Sequence, residues 1–171
     1  MREIAILLHN VRSAHNVGSI FRTGDAARVS RIFLSGYTPV PIDRFGRVQK
    51  EISKTALGAE KTLMWEYYVS STPLITRLKK EGWRIIGVEQ DERAKNFRSF
   101  QPSGRTLFIF GNEVRGLSKQ LRHLCDALVE IPMRGTMVRQ AHHPKNQNPE
   151  HRRGKESLNV SVAAGIILFN T

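Results

Sequence analysis

Three polar clusters in this sequence hold the residue types that could carry out chemistry, and each directly follows an apolar run. The first spans residues 9–22, the second spans residues 110–118, and the third combines residues 131–135 with 157–159. Together they supply amide, carboxylate, hydroxyl and guanidinium groups, interleaved with glycines that let a backbone approach a ligand closely. Groups of these kinds could bind a phosphate and enclose one small ligand.

The first cluster places Asn10, Asn16, Gly18 and Arg22 between an apolar run and a helical pattern. Arg22 follows Asn16 by six residues, about one and two-thirds helical turns, so it could project toward whatever the preceding loop holds. A guanidinium fork pairs well with phosphate, which makes Arg22 a natural partner for an RNA backbone. Taken alone, Arg22 could equally be a solvated residue on a helix surface.

The second cluster, FGNEVRGLS at residues 110–118, brackets a carboxylate with glycines. Gly111 and Gly116 allow backbone turns and close approach to a ligand, and Glu113 would lie at the functional edge of a sheet. An ordinary tight turn is the alternative. The cluster matches neither the GxxxxGK(S/T) pattern of phosphate-binding loops nor the GxGxxG pattern of dinucleotide-binding folds, so both of those readings are rejected.

The third cluster joins IPMRG at residues 131–135 to SLN at residues 157–159. Backbone groups of the first part and the side chains of Ser157 and Asn159 could surround one small ligand. A role for Ser157 as no more than a helix cap is a strong alternative.

Apolar runs and helical spacing predict an alternation of strands and helices around these clusters. Strands are predicted at residues 4–8, 31–35, 63–69, 83–89, 106–111 and 127–132, although the aromatic residues of 63–69 would also suit a helix. Predicted helices are one capped by Asn16 and reaching Val29, one at 50–57, one from Thr72 to Lys80, one from Ser118 to Cys125, and one from a Ser157 cap to Phe169. The polar stretches between them are predicted to be loops. This alternation predicts a single-domain α/β protein with a parallel sheet, whose ligands bind at the carboxyl ends of the strands.

Composition narrows the class of partner. The chain has 171 residues, 40% of them hydrophobic, and a formal net charge of +12, which favours a polyanion such as nucleic acid over a neutral partner. A generally basic proteome is the alternative explanation of the charge. No apolar run is long enough for a membrane span, the N-terminal sequence lacks a signal-peptide pattern, and the single cysteine, Cys125, is expected to be inert packing, so we expect a cytoplasmic protein.

The three clusters resemble, in order, the three motifs of the SPOUT-class RNA methyltransferases, specifically the TrmH-like (SpoU) branch of ribose 2′-O-methyltransferases. The matching segments are HNVRSAHNVGSIFRTGDA, LFIFGNEVRGLS, and VEIPMRG with ESLNVSVAAGIILF. The resemblance implies a parallel α/β sheet flanked by helices, with a C-terminal deep trefoil knot, which is an exception to the rule that connections do not thread. It also implies a homodimer, S-adenosylmethionine bound in the knot, and tRNA or rRNA as the methyl acceptor.

The resemblance carries roles over to individual residues. Arg22 stands at the position held to be catalytic, where we expect it to contact the target phosphate and polarise the 2′-hydroxyl. Asn16 is expected to orient Arg22, and Glu113 to position RNA or groups of the dimer partner. The residues expected to contact the methyl donor are Gly111, Gly116, Leu117, Ile131, Met133, Ser157, Leu158 and Asn159. The residues expected to contact RNA are Asn10, Arg12, Arg22 and Arg115.

A polar insertion at residues 136–154 is predicted to interrupt the single domain, which otherwise spans 1–171. Removing these 19 residues leaves IPMRG followed by KESLNVS, the spacing that the family pattern expects. The segment has few apolar residues, so we expect a disordered or protruding loop. Its three histidines, His142, His143 and His151, fit no standard zinc spacing, so no metal is expected.

Two functions of different classes follow. The leading hypothesis is an S-adenosylmethionine-dependent RNA ribose 2′-O-methyltransferase. The alternative is a basic RNA-binding homodimer whose methyl-donor pocket is impaired by the insertion. Methylation of a base instead of the ribose is a weaker third possibility, because the pattern of Asn16 and Arg22 belongs to the ribose-modifying branch.

Overall fold

A parallel sheet organises residues 2–133 and 157–171, the part of the chain that the computed structural model describes. Its seven strands are, in chain order, β1 (Glu3–His9), β2 (Arg31–Ser35), β3 (Trp65–Tyr68), β4 (Arg84–Val88), β5 (Lys95–Asn96), β6 (Arg105–Phe110) and β7 (Ala127–Glu130). Their order across the sheet is β3-β2-β1-β6-β4-β7-β5, and every pairing is parallel. The predicted α/β class and parallel sheet are therefore confirmed, and the continuously apolar strand β6 is central as expected.

Six helices are described in these residues. They are α1 (Ala14–Ala26), α2 (Lys50–Ala56), α3 (Ala59–Thr62), α4 (Ser71–Lys80), α5 (Lys119–Leu124) and α6 (Val160–Leu168), with a 3-10 turn at Phe97–Ser99. None of them is long and apolar enough to cross a membrane.

The core forms two layers because side chains alternate in direction along each strand. In β1, Ile4, Ile6 and Leu8 pack with buried residues of α1, α2, α3 and α6. Ala5 and Leu7 pack in the opposite layer with residues of α4 and α5. The pairing of Leu8 with Phe110 brings the carboxyl ends of β1 and β6 level at one edge of the sheet.

The predicted starts of three helices were wrong, and one of them is α4, which begins at Ser71 after a Ser70 cap and not at Thr72. Ser13, not Asn16, caps α1, because the Ser13 hydroxyl accepts a hydrogen bond from the backbone N–H of Asn16, and the helix ends at Ala26, before Val29. Asn159, not Ser157, caps α6, because its side-chain oxygen accepts from the backbone N–H of Ser161. In α1 and α6, two good cap residues lie close together. In α1, the Asn16 side chain instead contacts Glu113 and Asn159. In α6, Ser157 lies two residues before the position that caps the helix.

Short elements escaped the sequence analysis because two to four residues carry no measurable periodicity. These are β5 and the 3-10 turn, within the predicted loop 90–105, and α3 after α2. The predicted insertion at 136–154 and its histidines lie outside the described residues. The predicted trefoil knot depends on the path of the same stretch and stays a prediction.

Candidate active site

A cavity of about 300 Å³ opens at the carboxyl edge of the sheet. The ends of β4, β6 and β7 line it, together with the loop at residues 111–116 and the start of α6. Its wall includes six of the residues predicted to contact a methyl donor, namely Gly111, Gly116, Ile131, Met133, Ser157 and Leu158. Of the other two, Leu117 is buried beside this wall and Asn159 lies just outside it.

Glu113 ties the loop of the second cluster to the start of α1. Its carboxylate accepts hydrogen bonds from the backbone N–H groups of Arg12 (3.0 Å) and Ser13 (3.1 Å) and from the side-chain amide of Asn16 (3.2 Å). Burial alone would raise the pKa of Glu113, but these hydrogen bonds outweigh it, so the pKa lies below its ordinary value. Glu113 is therefore ionised at neutral pH and holds the first two clusters together.

Asn16 extends this network to the third cluster. The side-chain oxygen of Asn16 accepts a hydrogen bond from the amide of Asn159 at 3.1 Å, while the oxygen of Asn159 caps α6. The chain of contacts Glu113–Asn16–Asn159 thus joins all three clusters that the sequence placed at one sheet edge.

The 111–116 loop depends on two glycines. Gly116 has φ +62°, and a Cβ there would lie 2.2 Å from Oε2 of Glu89. A Cβ on Gly111 would lie 2.6 Å from the carbonyl carbon of Gly116. The loop therefore folds back on itself more tightly than any larger residue would permit.

Glu89 is a cavity residue that the sequence analysis did not single out. It follows β4, lines the cavity, and accepts a hydrogen bond from the backbone N–H of Leu117 at 2.5 Å. Its position in the sequence could have indicated this role, because Glu89 is a carboxylate at the carboxyl end of a buried parallel strand.

Asn112 is a second residue that sequence reasoning missed. Its buried side-chain oxygen accepts from the backbone N–H groups of Val114 (2.9 Å) and Arg115 (2.8 Å), which shapes the turn around Glu113. Its amide donates to the backbone oxygen of Asn10 and to the hydroxyl of Tyr37. Asn112 therefore connects the cavity loop to the turns that follow β1 and β2.

Asn10 occupies a left-handed backbone conformation, with φ 59°. Its side-chain oxygen accepts from the backbone N–H of Tyr37 (3.2 Å), and its amide contacts the ring of His9 (3.0 Å). Burial lowers the pKa of His9, whose other ring nitrogen contacts the hydroxyl of Ser35. Asn10 thus shapes the sheet edge, and its predicted contact with RNA remains a prediction.

The three arginines predicted to act on RNA lie in different places. Arg115 is exposed and lines the cavity, and Arg12 is exposed beside the Glu113 carboxylate. Arg22 lies apart from them in a separate hollow of about 500 Å³, between α1, α2 and Phe169. Among the described residues of one chain, the Asn16 side chain contacts Glu113 and Asn159 and makes no hydrogen bond to Arg22.

Cys125 takes no part in this edge. It lies partly buried at the end of α5, and burial raises the pKa of its thiol to about 11. Its thiolate is therefore scarce at neutral pH, which matches the inert packing role expected from the sequence. Within residues 2–133 and 157–171, no group of three His, Cys, Asp or Glu side chains is arranged to hold a metal ion.

Comparison with known proteins identifies the family of this chain. The profile of the SpoU rRNA Methylase family matches residues 3–138, which is most of the sequence. The chain belongs to the SpoU rRNA methylase family. The family resemblance inferred from the three clusters is confirmed.

Relatives of this SpoU-family chain are longer proteins. It is 29% identical, over 98% of its length, to the 23S rRNA (guanosine-2′-O-)-methyltransferase RlmB of Neisseria meningitidis, and it covers 57% of that protein. It is 34% identical to an uncharacterized tRNA/rRNA methyltransferase homolog of Mycoplasma pneumoniae, covering 58% of it. The chain thus spans little more than half the length of these curated relatives.

Solved structures share the fold of the SpoU-family chain. The AdoMet-bound rRNA methyltransferase of Sinorhizobium meliloti matches with a TM-score of 0.77 and 26% identity, over 98% of this chain and 55% of that one. The TrmH/SpoU tRNA modifying enzyme of A. aeolicus matches the fold with a TM-score of 0.77, at 24% identity, over 99% of this chain and 74% of that one.

Proposed function

We propose that this SpoU-family chain transfers a methyl group from S-adenosylmethionine to a ribose 2′-hydroxyl of tRNA or rRNA. The observation that carries the proposal is the cavity at the carboxyl edge of the sheet, enclosed by the three clusters through Glu113, Asn16 and Asn159. The relatives named above support it, since the Neisseria protein is named as a guanosine-2′-O-methyltransferase and the Sinorhizobium structure as AdoMet-bound. Such RNA substrates would place the protein in the cytoplasm.

The cavity fits the chemistry of the donor. S-adenosylmethionine is a net cation near neutral pH, and among the described residues of the cavity wall three carry carboxylates, Glu89, Glu113 and Glu130, and one, Arg115, carries a guanidinium. Its volume of about 300 Å³ is at the lower end for a small-molecule site. Backbone at Gly111, Gly116 and Ile131 and the side chains of Met133 and Ser157 would hold the donor, which supplies the sulfonium-bound methyl group.

The residues of the chain would contribute mainly by alignment. The 2′-oxygen must attack the methyl carbon from the side opposite the sulfur, so the two reactants have to be held in line. As the new carbon–oxygen bond forms, the bond between the methyl carbon and sulfur breaks and leaves a neutral thioether, and the hydroxyl proton passes to water. Arg22 would bind the adjoining phosphate and polarise the hydroxyl as a hydrogen-bond donor, because a guanidinium keeps its protons and has no site that accepts one.

We further propose that the active unit is a homodimer. Arg22 and the donor cavity occupy separate places within one chain, and this separation supports a site that the Arg22 of a second copy would complete. The exposed apolar side chains of Val162 and Phe169, on and beside α6, support an interface along this helix. The stretch between β7 and α6 would form the trefoil knot that the family resemblance implies.

The interrupted third cluster gives weight to a second candidate function. Met133 and Ser157 both line the cavity, yet the predicted insertion of residues 136–154 separates them in sequence. If the insertion prevents Met133 and Ser157 from contacting the same donor molecule, the protein would be an RNA-binding homodimer that does not transfer a methyl group.

Calorimetry with S-adenosylmethionine separates the two functions. We expect the full chain to bind the donor, and a variant lacking residues 136–154 to bind it at least as well. Binding only by the deletion variant, with RNA binding by the full chain, would favour the second function. Absence of donor binding by both proteins would refute the methyltransferase.

A further inference from the structure

A second and wider hollow lies on the other side of the carboxyl edge, and we call it the edge groove. It has a volume of about 1100 Å³ and is lined by the segment 36–51, which follows β2, and by Trp65 and Tyr67 of the outermost strand β3. The donor site described above uses none of these residues.

The edge groove presents one aromatic ring on a rigid turn. Asp43 accepts hydrogen bonds from the backbone N–H groups of Phe45 (2.8 Å) and Arg47 (2.9 Å) and from the Arg47 side chain (2.7 Å). Gly46 completes the turn with φ +78°. Phe45 is left 66% exposed at the tip, so it reaches a ligand without first having to be ordered.

Arginines flank this ring in a way that differs from the rest of the fold. The guanidinium carbons of Arg44 and Arg47 lie 4.7 and 5.1 Å from the ring centre of Phe45. At the opposite edge of the sheet, Arg98 covers Phe97, a ring only 9% exposed that belongs to the core. An exposed ring with two guanidinium groups over it has no core to seal, and the ring and the guanidinium planes together offer flat surfaces on which a nucleic-acid base can stack.

The charge of the edge groove suits a phosphate backbone. Its two carboxylates are engaged, Asp43 with Arg47 and Glu51 with the ring of His15. Arg44 and Lys50 are exposed and form no ion pair with another described residue. The groove therefore offers net positive charge next to aromatic surface, the combination that single-stranded nucleic acid requires.

The edge groove leads to the donor cavity through Tyr37. This side chain lines the groove, is 58% exposed, and accepts a hydrogen bond at its hydroxyl from Asn112 at 2.9 Å. Asn112 lines the donor cavity between Gly111 and Glu113. A strand lying in the groove would thus reach the cavity within the same face of the molecule.

We propose that the edge groove binds single-stranded RNA next to the methylated nucleotide, with a base stacked on Phe45 and phosphates facing Arg44 and Lys50. This inference rests on the proposed function and specifies how its substrate is held. The target lies in an unpaired stretch, because a paired base would first have to unpair and unstack before it could stack on the ring.

The test measures binding of a short, fluorescently labelled, unstructured RNA at several salt concentrations. Phe45→Ala should weaken binding by about 5- to 100-fold and leave the salt dependence unchanged, since it removes stacking and no charge. Arg44→Gln and Lys50→Gln should each make the negative slope of log K against log salt shallower by about 0.7. Phe45→Tyr keeps a ring and should bind as the wild type does.

Arg98→Gln is the matched control, because it removes an exposed arginine over a phenylalanine at the far edge of the sheet. It should leave both the affinity and the salt slope unchanged. Because Phe45 is exposed, thermal melting should show that Phe45→Ala is folded.

Wild-type affinity in Phe45→Ala would overturn the inference, as would equal binding of a fully paired RNA. A change in sedimentation of Phe45→Ala without a change in RNA affinity would also overturn it and assign the groove to a protein partner. Calorimetry with S-adenosylmethionine on the same proteins reports separately on the proposed function, so either idea can fail while the other stands.

Discussion

Replacing Glu113 by glutamine should both destabilise the fold and loosen the donor cavity. The Glu113 carboxylate accepts from three donors, the backbone N–H groups of Arg12 and Ser13 and the amide of Asn16. A hydrogen bond to a charged group contributes about 1.5–3 kcal/mol, but Glu113 is only half-buried and glutamine keeps one accepting oxygen. We therefore expect Glu113→Gln to lower the free energy of unfolding by about 1–3 kcal/mol.

The pH dependence of this loss identifies its cause. The pKa of Glu113 is lowered on folding, so its charge stabilises the folded state fully above the unfolded pKa. That stabilisation disappears as the pH falls through the folded pKa. The difference in unfolding free energy between the wild type and Glu113→Gln should thus be largest near neutral pH and vanish as the pH falls through the lowered folded pKa of Glu113.

Urea unfolding at several pH values, with calorimetry of S-adenosylmethionine binding, measures both effects. Glu92→Gln is the control, because Glu92 is an exposed glutamate without a hydrogen bond or ion pair to another described residue. It should change neither quantity. A Glu113→Gln protein with wild-type stability and donor affinity, or a loss of stability that does not vary with pH, would refute the role assigned to Glu113.

Three further predictions concern the donor cavity and Arg22. Gly116→Ala should lose more stability, and more donor affinity, than Gly104→Ala, because both have φ near +60° but only a Cβ at 116 meets Glu89; equal melting temperatures would contradict this. Asn159→Ala should lower the unfolding free energy by about 1–2 kcal/mol and weaken donor binding, as measured by urea titration and calorimetry, because it removes both the α6 cap and the link to the first cluster. Arg22→Ala should abolish methylation of bulk RNA with donor binding nearly intact, and full methyl transfer in that variant would remove Arg22 from the mechanism.

The sheet and the place of the site follow from the sequence because they depend on strong local patterns. The run at residues 32–34 is apolar, and the strand predicted around it at 31–35 has the same bounds as β2. Clusters that follow parallel strands must meet at one edge, which is why the three clusters come together. The contacts of Asn16 with Glu113 and Asn159 were not predicted, because the sequence analysis expected Asn16 to orient Arg22. The family could also be predicted from the sequence, because its three motifs are contiguous local patterns in the chain.

The helix caps and the individual contacts of the site could not be predicted, because several similar polar groups could form the same hydrogen bonds. Ser13 and Asn16 are equally good caps, and only the position of Glu113 decides that Asn16 is used for side-chain contacts. Glu89 contributes to the site through a backbone N–H of Leu117 that is distant in sequence, so no spacing signals it. Arg22 turns away from the cavity because α1 packs its neighbouring faces against the core and α2, a tertiary constraint that helical spacing does not reveal.

Ribose 2′-O-methylation is tested most directly by the product itself. RNA is incubated with the full chain and S-adenosylmethionine carrying an isotope-labelled methyl group, then digested to nucleosides and analysed by mass spectrometry. We expect the label in a 2′-O-methylnucleoside, with no label when Arg22→Ala replaces the wild type. Label in a base, or no labelled nucleoside from either the full chain or the variant lacking residues 136–154, would contradict the proposed function.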